Sequence, residues 1–242
     1  MKQDSEGSSN GAKTRRVGRP RRLSIDQVLD AGLALGLDGL TMGAVADRLG
    51  VTITVLYGYV ANREELVRLA AARAAQQHDF PGDCGQHWTL YAASHAVTLF
   101  ELLTGPGQLV SQYLTGGMGP EVELDRAEAW LEGMTKRGFH PREALLLQRQ
   151  MGEIVIGGAV SVWHLRSFEA AGTDFGKAAA RAFAARDETA LPLLRSEQAS
   201  FSDRRPVWAH TFAQLLESVA LNRGEEFDRQ AVMHALAQDP PG

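Results

Sequence analysis

The chain has a single cysteine, Cys84, among 242 residues, so no disulfide can close within one subunit. That excludes an internal redox switch and fits a reducing compartment. No run of 18 or more apolar residues exists, and the polar, basic start lacks the apolar core of a secretory signal, so a cytoplasmic location is expected. Catalytic machinery is missing as well. No nucleophile lies with a plausible base, and no pair of acids is placed for general acid–base work. The glycine-rich run Gly116-Gly117-Met118-Gly119 follows a helical pattern instead of a strand and lacks the lysine of a phosphate loop. It reads as a connection between helices, so no enzyme activity and no cofactor are expected. Nothing in the chain reads as a strand.

What is present is ordinary for a folded protein: 44% hydrophobic and 22% charged residues, in a chain long enough for one small and one larger domain. The charge, however, is unevenly placed. Residues 13–22, KTRRVGRPRR, contain six Lys or Arg and no acid, which leaves −10 for the rest of a chain whose net charge is −4. We read 1–22 as a disordered basic arm, Gly- and Ser-rich over its first twelve residues. Gly18-Arg19-Pro20 is the core of an AT-hook-like segment, so Arg19 and Arg21 are candidates for minor-groove or phosphate contact.

The most specific pattern is residues 40–66, LTMGAVADRLGVTITVLYGYVANREEL. It reads as two short helices around a glycine turn, followed at once by another helix, the layout of a helix-turn-helix DNA reader. Ala46 is small where two helix axes must approach, Gly50 can adopt positive φ at the turn, and Leu56 is the apolar plug. Val45, Leu49, Val51 and Val60 face inward at helical spacing. Thr41 and Thr52 are placed as N-caps, each with a side-chain oxygen to accept an orphaned amide. Asn62 caps the next helix, with Glu65 reaching back as in a capping box. Upstream, Ser24 caps a helix with Ile25, Val28, Leu29 and Gly32 on one face, giving a three-helix domain over 23–70. On the short recognition helix, Thr52, Ile53, Thr54, Val55, Tyr57 and Tyr59 are the candidates to face DNA. Threonine reaches phosphates or base edges, Ile and Val meet thymine methyls, and tyrosine most often reaches phosphate. No Arg, Asn or Gln lies in 52–60, so sequence preference should draw on apolar contact, water and DNA shape.

On these residues the chain resembles the TetR family of bacterial transcriptional regulators, and its LYGYV is similar to the family's box at the end of the recognition helix. Gly58 departs from the pattern, standing where a bulky or aromatic residue is usual. The close match covers about 22–70. The resemblance implies an all-α homodimeric repressor that binds a palindromic operator in double-stranded DNA and is released by a small-molecule effector held in the larger helical ligand-binding and dimerisation domain, 71–242. Arg63 resembles the family's phosphate-contacting basic residue, and Thr41 completes the expected DNA-binding set.

Beyond residue 80 the periodicity predicts helices at 86–104, 107–115, 120–137, 141–169, 174–186, 188–199, 206–222 and 225–237. Two apolar stripes, Leu147, Met151, Ile154, Val155, Gly158, Val162 and Leu165 on one helix and Trp208, Phe212, Leu215, Leu216 and Val219 on another, are candidates for a four-helix dimer interface. Aromatic, Met and polar residues suited to an effector pocket are Trp88, Tyr91, His95, Trp130, Met134, Gln148, Met151 and His164. His78, Asp79, Asp83, Cys84 and His87 cluster in one break, but their spacing matches no closed zinc site, so they read as a polar linker and no metal is expected. Two alternatives stand beside the regulator: an architectural DNA-binding protein without effector, and an α-helical enzyme carrying a DNA-binding module.

Overall fold

The computed structural model describes residues 23–37, 39–105, 109–114 and 121–237, with the side chains at 121 and 122 outside that set. The basic arm with Arg19 and Arg21, and the glycine run at 116–119, lie outside the described residues. Among the described residues every regular element is helical and no strand occurs. No helix there is long and apolar enough to cross a membrane.

The N-terminal part comprises α1 (Ile25–Leu33), α2 (Met42–Leu49), α3 (Ile53–Leu56) and α4 (Arg63–Gln77). Ser24 starts α1 with a reciprocal box, accepting from the Gln27 amide at 3.2 Å while Gln27 Oε1 accepts from the Ser24 amide at 2.9 Å. Val28, Leu29, Ala31 and Gly32 bury the inner face of α1 against the Leu66, Val67, Ala70 and Ala71 face of α4. Ile25, expected on that face, is exposed, because its first-turn position lies beyond the edge of the contact. A Cβ at Gly32 would stand 2.9 Å from Leu40 Cδ1, so a larger residue there would have to displace the buried Leu40 side chain. Arg73 of α4 then forks to Asp30 at 2.6 Å and Asp26 at 2.8 Å, lashing α1 to α4.

The larger part is built on α8 (Pro141–Ala170), flanked by α5 (Trp88–Thr104), α7 (Glu121–Thr135) and α12 (Trp208–Asn222), with α6 (Leu109–Leu114) and α13 (Arg229–Ala237) closing the bundle. Gly138, at φ 80°, ends the α7 turn, and Pro141 opens α8. Residues 188–199 do not form the single helix expected. Leu191 takes φ 59° and Pro192 starts α10 (Pro192–Ser196), followed by α11 (Gln198–Ser202). With α9 (Phe175–Ala184) these form a satellite around Phe175, Phe183 and Phe201. Likewise α12 begins at Trp208 and not at Pro206.

The two stripes proposed for dimerisation prove to be largely one subunit's own core. Leu147, Met151, Val155 and Gly158 of α8 are buried, as are Trp208, Phe212 and Leu216 of α12, and the two helices pack on each other. Gly158 permits this crossing. A Cβ there would lie 2.7 Å from Trp208 Cγ and Cδ1, so the helix-propensity cost of about 1 kcal/mol is offset by an intrachain contact. The outward faces are instead Gly157, Ser161, His164 and Phe168 on α8, and Val207, Gln214, Ser218 and Leu221 around α12.

Candidate functional site

Gly50 closes α2 at φ 66°, ψ 32°, and the Val51 amide donates back to the Ala46 carbonyl at 3.0 Å, the left-handed ending that turns the chain into α3. Ala46 and Leu56 are buried at the turn. Thr41 Oγ1 accepts from the Ala44 amide at 3.1 Å. Thr52 is the N-cap of α3 by backbone geometry, but its hydroxyl makes no capping bond. The exposed hydroxyl is thus left available outward.

Thr52, Ile53, Thr54 and Val55 are all exposed, and Tyr57 is 57% exposed, so it is not a core residue. Apolar side chains standing outward on the second helix of the motif have no folding role to explain them. Tyr59 differs. It is half-buried and its hydroxyl donates to the Leu23 carbonyl at 2.6 Å, because residue 59 lies past α3 on the inward turn. It ties the motif to the start of α1 instead of facing outward. Arg63 is exposed at the start of α4, with Nε donating to the Leu40 carbonyl at 2.6 Å, which fixes where its charge sits. Asn62 Oδ1 accepts from the Glu65 amide at 2.8 Å, and Glu65 reaches back to the Ala61 amide at 2.5 Å, one residue earlier than a standard box. Tyr59→Phe should therefore cost about 1 kcal/mol and lower Tm by about 2–4 °C, with DNA affinity of the folded protein changed less than twofold. A thermal melt paired with a binding isotherm checks both.

The second site is a cavity of about 840 Å³ between α5, α7, α8 and the linker after α4. Of the expected pocket residues, His95, Gln148, Met151 and Tyr91 line it. Trp130 and Met134 do not, being wholly buried in the core, and Trp130 Nε1 is already bonded to the Ala144 carbonyl at 2.8 Å. Trp88 is also core, its Nε1 donating to Glu225 Oε2 at 2.5 Å, and His164 is on the outer face of α8. Large side chains at helical spacing fill the core whenever their polar atoms find a partner inside it, and both tryptophans do. Gly133 makes room for Tyr91, whose Oη would stand 2.5 Å from a Cβ there.

His95 is buried, with Nδ1 2.9 Å from the Tyr91 carbonyl. A carbonyl only accepts, so Nδ1 carries the proton and Nε2 is left as an acceptor. Burial, opposed by that hydrogen bond, lowers its pKa to about 4, so the ring is neutral at physiological pH. Sequence reading missed Phe80, Tyr113 and Arg126. Arg126 lies over the Phe80 ring, 4.5 Å from its centroid, and donates to the Ala75 carbonyl in the last turn of α4. An arginine among acids on a helix reads as a solvated surface residue, and only the fold folds Phe80 beneath it.

Asp83 and His87 of the linker have side-chain partners. Asp83 pairs with Arg137 at 2.6 Å, whose guanidinium also lies 4.7 Å from the Tyr91 ring centroid, and His87 Nδ1 meets Thr89 Oγ1 at 2.8 Å. No cluster of three or more His, Cys, Asp or Glu able to hold a metal occurs among the described residues.

No family model matches the chain. It is 31% identical over 180 residues to the class D tetracycline repressor protein of Escherichia coli, covering 72% of this chain and 78% of that protein. The class H tetracycline repressor protein of Photobacterium damsela subsp. piscicida gives the same values. Among solved structures, ActR of Streptomyces coelicolor in complex with actinorhodin superposes with a TM-score of 0.64 at 18% identity, over 85% of this chain and 98% of that one. TetR of Acinetobacter baumannii AYE gives 0.57 at 18% identity, over 84% and 99%. With an outward-facing helix-turn-helix at one end, a ligand-sized cavity at the other, and repressor relatives matched along most of their length, the chain belongs to the TetR family of ligand-responsive transcriptional repressors.

Proposed function

We propose that the protein binds a palindromic operator as a homodimer in the cytoplasm, through Thr41, Thr52, Ile53, Thr54, Val55, Tyr57 and Arg63 of each subunit, and is released when a small molecule enters the 840 Å³ cavity. It acts by linked binding equilibria, without catalysing a reaction. The observation that carries this reading is the course of α4. Its N-terminal Arg63 stands at the recognition surface and its C-terminal Ala75 is bonded to Arg126 on the cavity wall. The dimer forms across the outward faces of α8 and α12, setting two recognition helices about 34–36 Å apart in successive major grooves. Ligand and operator affinities are then coupled reciprocally. A cavity this large argues against an architectural protein, which has no use for an unfilled interior.

Selection of genomic fragments on the full-length protein tests it. One palindromic site should be enriched, with log affinity falling linearly against log salt by about 0.9 per phosphate neutralised. Sequence-blind binding would favour the architectural alternative. Gly152→Phe tests the cavity, because a Cβ at Gly152 meets nothing within 4 Å and the residue lines the space. The variant should bind the operator normally while any compound that releases the wild-type protein needs at least about tenfold more, equivalent to 1.4 kcal/mol. Equal sensitivity would place the effector elsewhere.

A further inference from the structure

We propose that residues 13–22 are a second DNA-reading element, and that each subunit lays Gly18-Arg19-Pro20 in an A/T-rich minor groove flanking the site its recognition helix reads. This rests on the helix-turn-helix being the DNA surface, and it adds a second groove and the sequence class of the operator's flanks.

Residues 13–22 lie outside the described residues, but the point at which the chain enters the fold is fixed. Leu23 packs on the core, and its carbonyl accepts from the Tyr59 hydroxyl at 2.6 Å. Tyr59 follows the recognition helix Ile53–Leu56 and stands two positions from the exposed Tyr57. The basic segment therefore joins the fold beside the proposed DNA surface. Ten residues span at most about 33–36 Å, enough to cross one phosphate strand from a major groove into the neighbouring minor groove.

The segment carries Lys13, Arg15, Arg16, Arg19, Arg21 and Arg22 without an acid, against −10 for the rest of a chain of net charge −4. Attraction to a polyanion is concentrated there. Charge alone would suit phosphates anywhere, and the Gly18-Arg19-Pro20 unit is what selects the groove. Proline fixes its own φ and biases Arg19 to extended backbone, and Gly18 has no side chain to meet a groove wall. An extended strand fits a minor groove about 6 Å wide, which excludes a helix. A/T tracts narrow that groove and deepen its negative potential, and a guanidinium is more weakly hydrated than an ammonium, so it enters more readily. The recognition helix leaves the role open, since 52–60 contain no Arg, Asn or Gln to read guanine or adenine edges.

The test uses duplexes in which the operator from the fragment selection is flanked on both sides by AAATTT or by GCGCGC, titrated with the full-length protein by fluorescence anisotropy. The wild type should bind the A/T-flanked duplex at least about tenfold more tightly. Arg19→Ala should bring the two affinities within about twofold of each other, with its thermal melt unchanged. Arg19→Lys should keep the salt slope and still lose most of the preference. Equal binding of both duplexes by the wild type overturns the inference and leaves the helix-turn-helix reading intact. A preference that survives Arg19→Ala puts flank reading on the folded domain, and one kept in full by Arg19→Lys reduces the segment to phosphate contact; either result overturns the proposal. Failure to bind either duplex overturns the helix-turn-helix reading as well.

Discussion

Trp130→Ala is expected to cost about 4 kcal/mol and lower Tm by about 8–16 °C. Trp130 is wholly buried and joins three helices at once. From α7 it donates to the Ala144 carbonyl of α8 at 2.8 Å, and on α5 it stacks on Tyr91, with centroids 5.7 Å apart, and meets His95 edge-on at 5.3 Å. Alanine removes the transfer energy of the indole and leaves a void that three packed helices cannot collapse into. Trp130→Phe keeps most of the volume and loses the hydrogen bond, so about 1–2 kcal/mol is expected. Urea unfolding measures both. A loss under about 1 kcal/mol for alanine would mean that α7 repacks and that the cavity floor is softer than the contacts imply.

Tyr57→Ala should lower operator affinity about 100-fold without affecting stability. Nothing in the fold depends on this ring, which is 57% exposed. A tyrosine–phosphate bond involves a charged acceptor and contributes about 1.5 kcal/mol. Two subunits double it to nearly 3 kcal/mol, or about two powers of ten. Because tyrosine is neutral, the slope of log affinity against log salt should not change. Arg63→Ala should flatten that slope by about two counterions per dimer. Titrating both variants against the selected operator at several salt concentrations separates the two roles. Unaltered affinity in both would mean the recognition surface lies elsewhere.

The helix-turn-helix was legible because its determinants are local. Gly50 must turn left-handed, Ala46 must be small, and Thr41, Asn62 and Ser24 announce helix starts by bonds within three residues. The exceptions are Tyr59, whose inward turn depends on the Leu23 carbonyl 36 positions away, and Thr52, whose hydroxyl makes no capping bond. Most helix positions in the larger domain followed from periodicity, the break at Leu191 excepted, but what each apolar stripe faces did not. The Leu147 to Val155 run and the Phe212 to Leu216 run satisfy one another within the chain, and sequence spacing has no means of distinguishing that from a partner subunit. The cavity was half legible. His95, Gln148 and Met151 line it, yet Trp88, Trp130 and Met134 are core, since the same side-chain types serve both ends. Arg126 and Phe80 meet across 46 positions of sequence, beyond any local signal.

The Arg73 fork to Asp26 and Asp30 has a mechanical consequence. With the buried faces of α1 and α4 packed on each other and the fork at their rim, the proposed mechanism has the reading head tilt with α4 as one body about the break after His78. A helix of 15 residues is about 22 Å long at 1.5 Å per residue, so a tilt of about 5° at the base moves the head by about 2 Å. Mirrored in a second subunit, that amounts to about 4 Å in the separation of two recognition helices, more than the reach of a hydrogen bond.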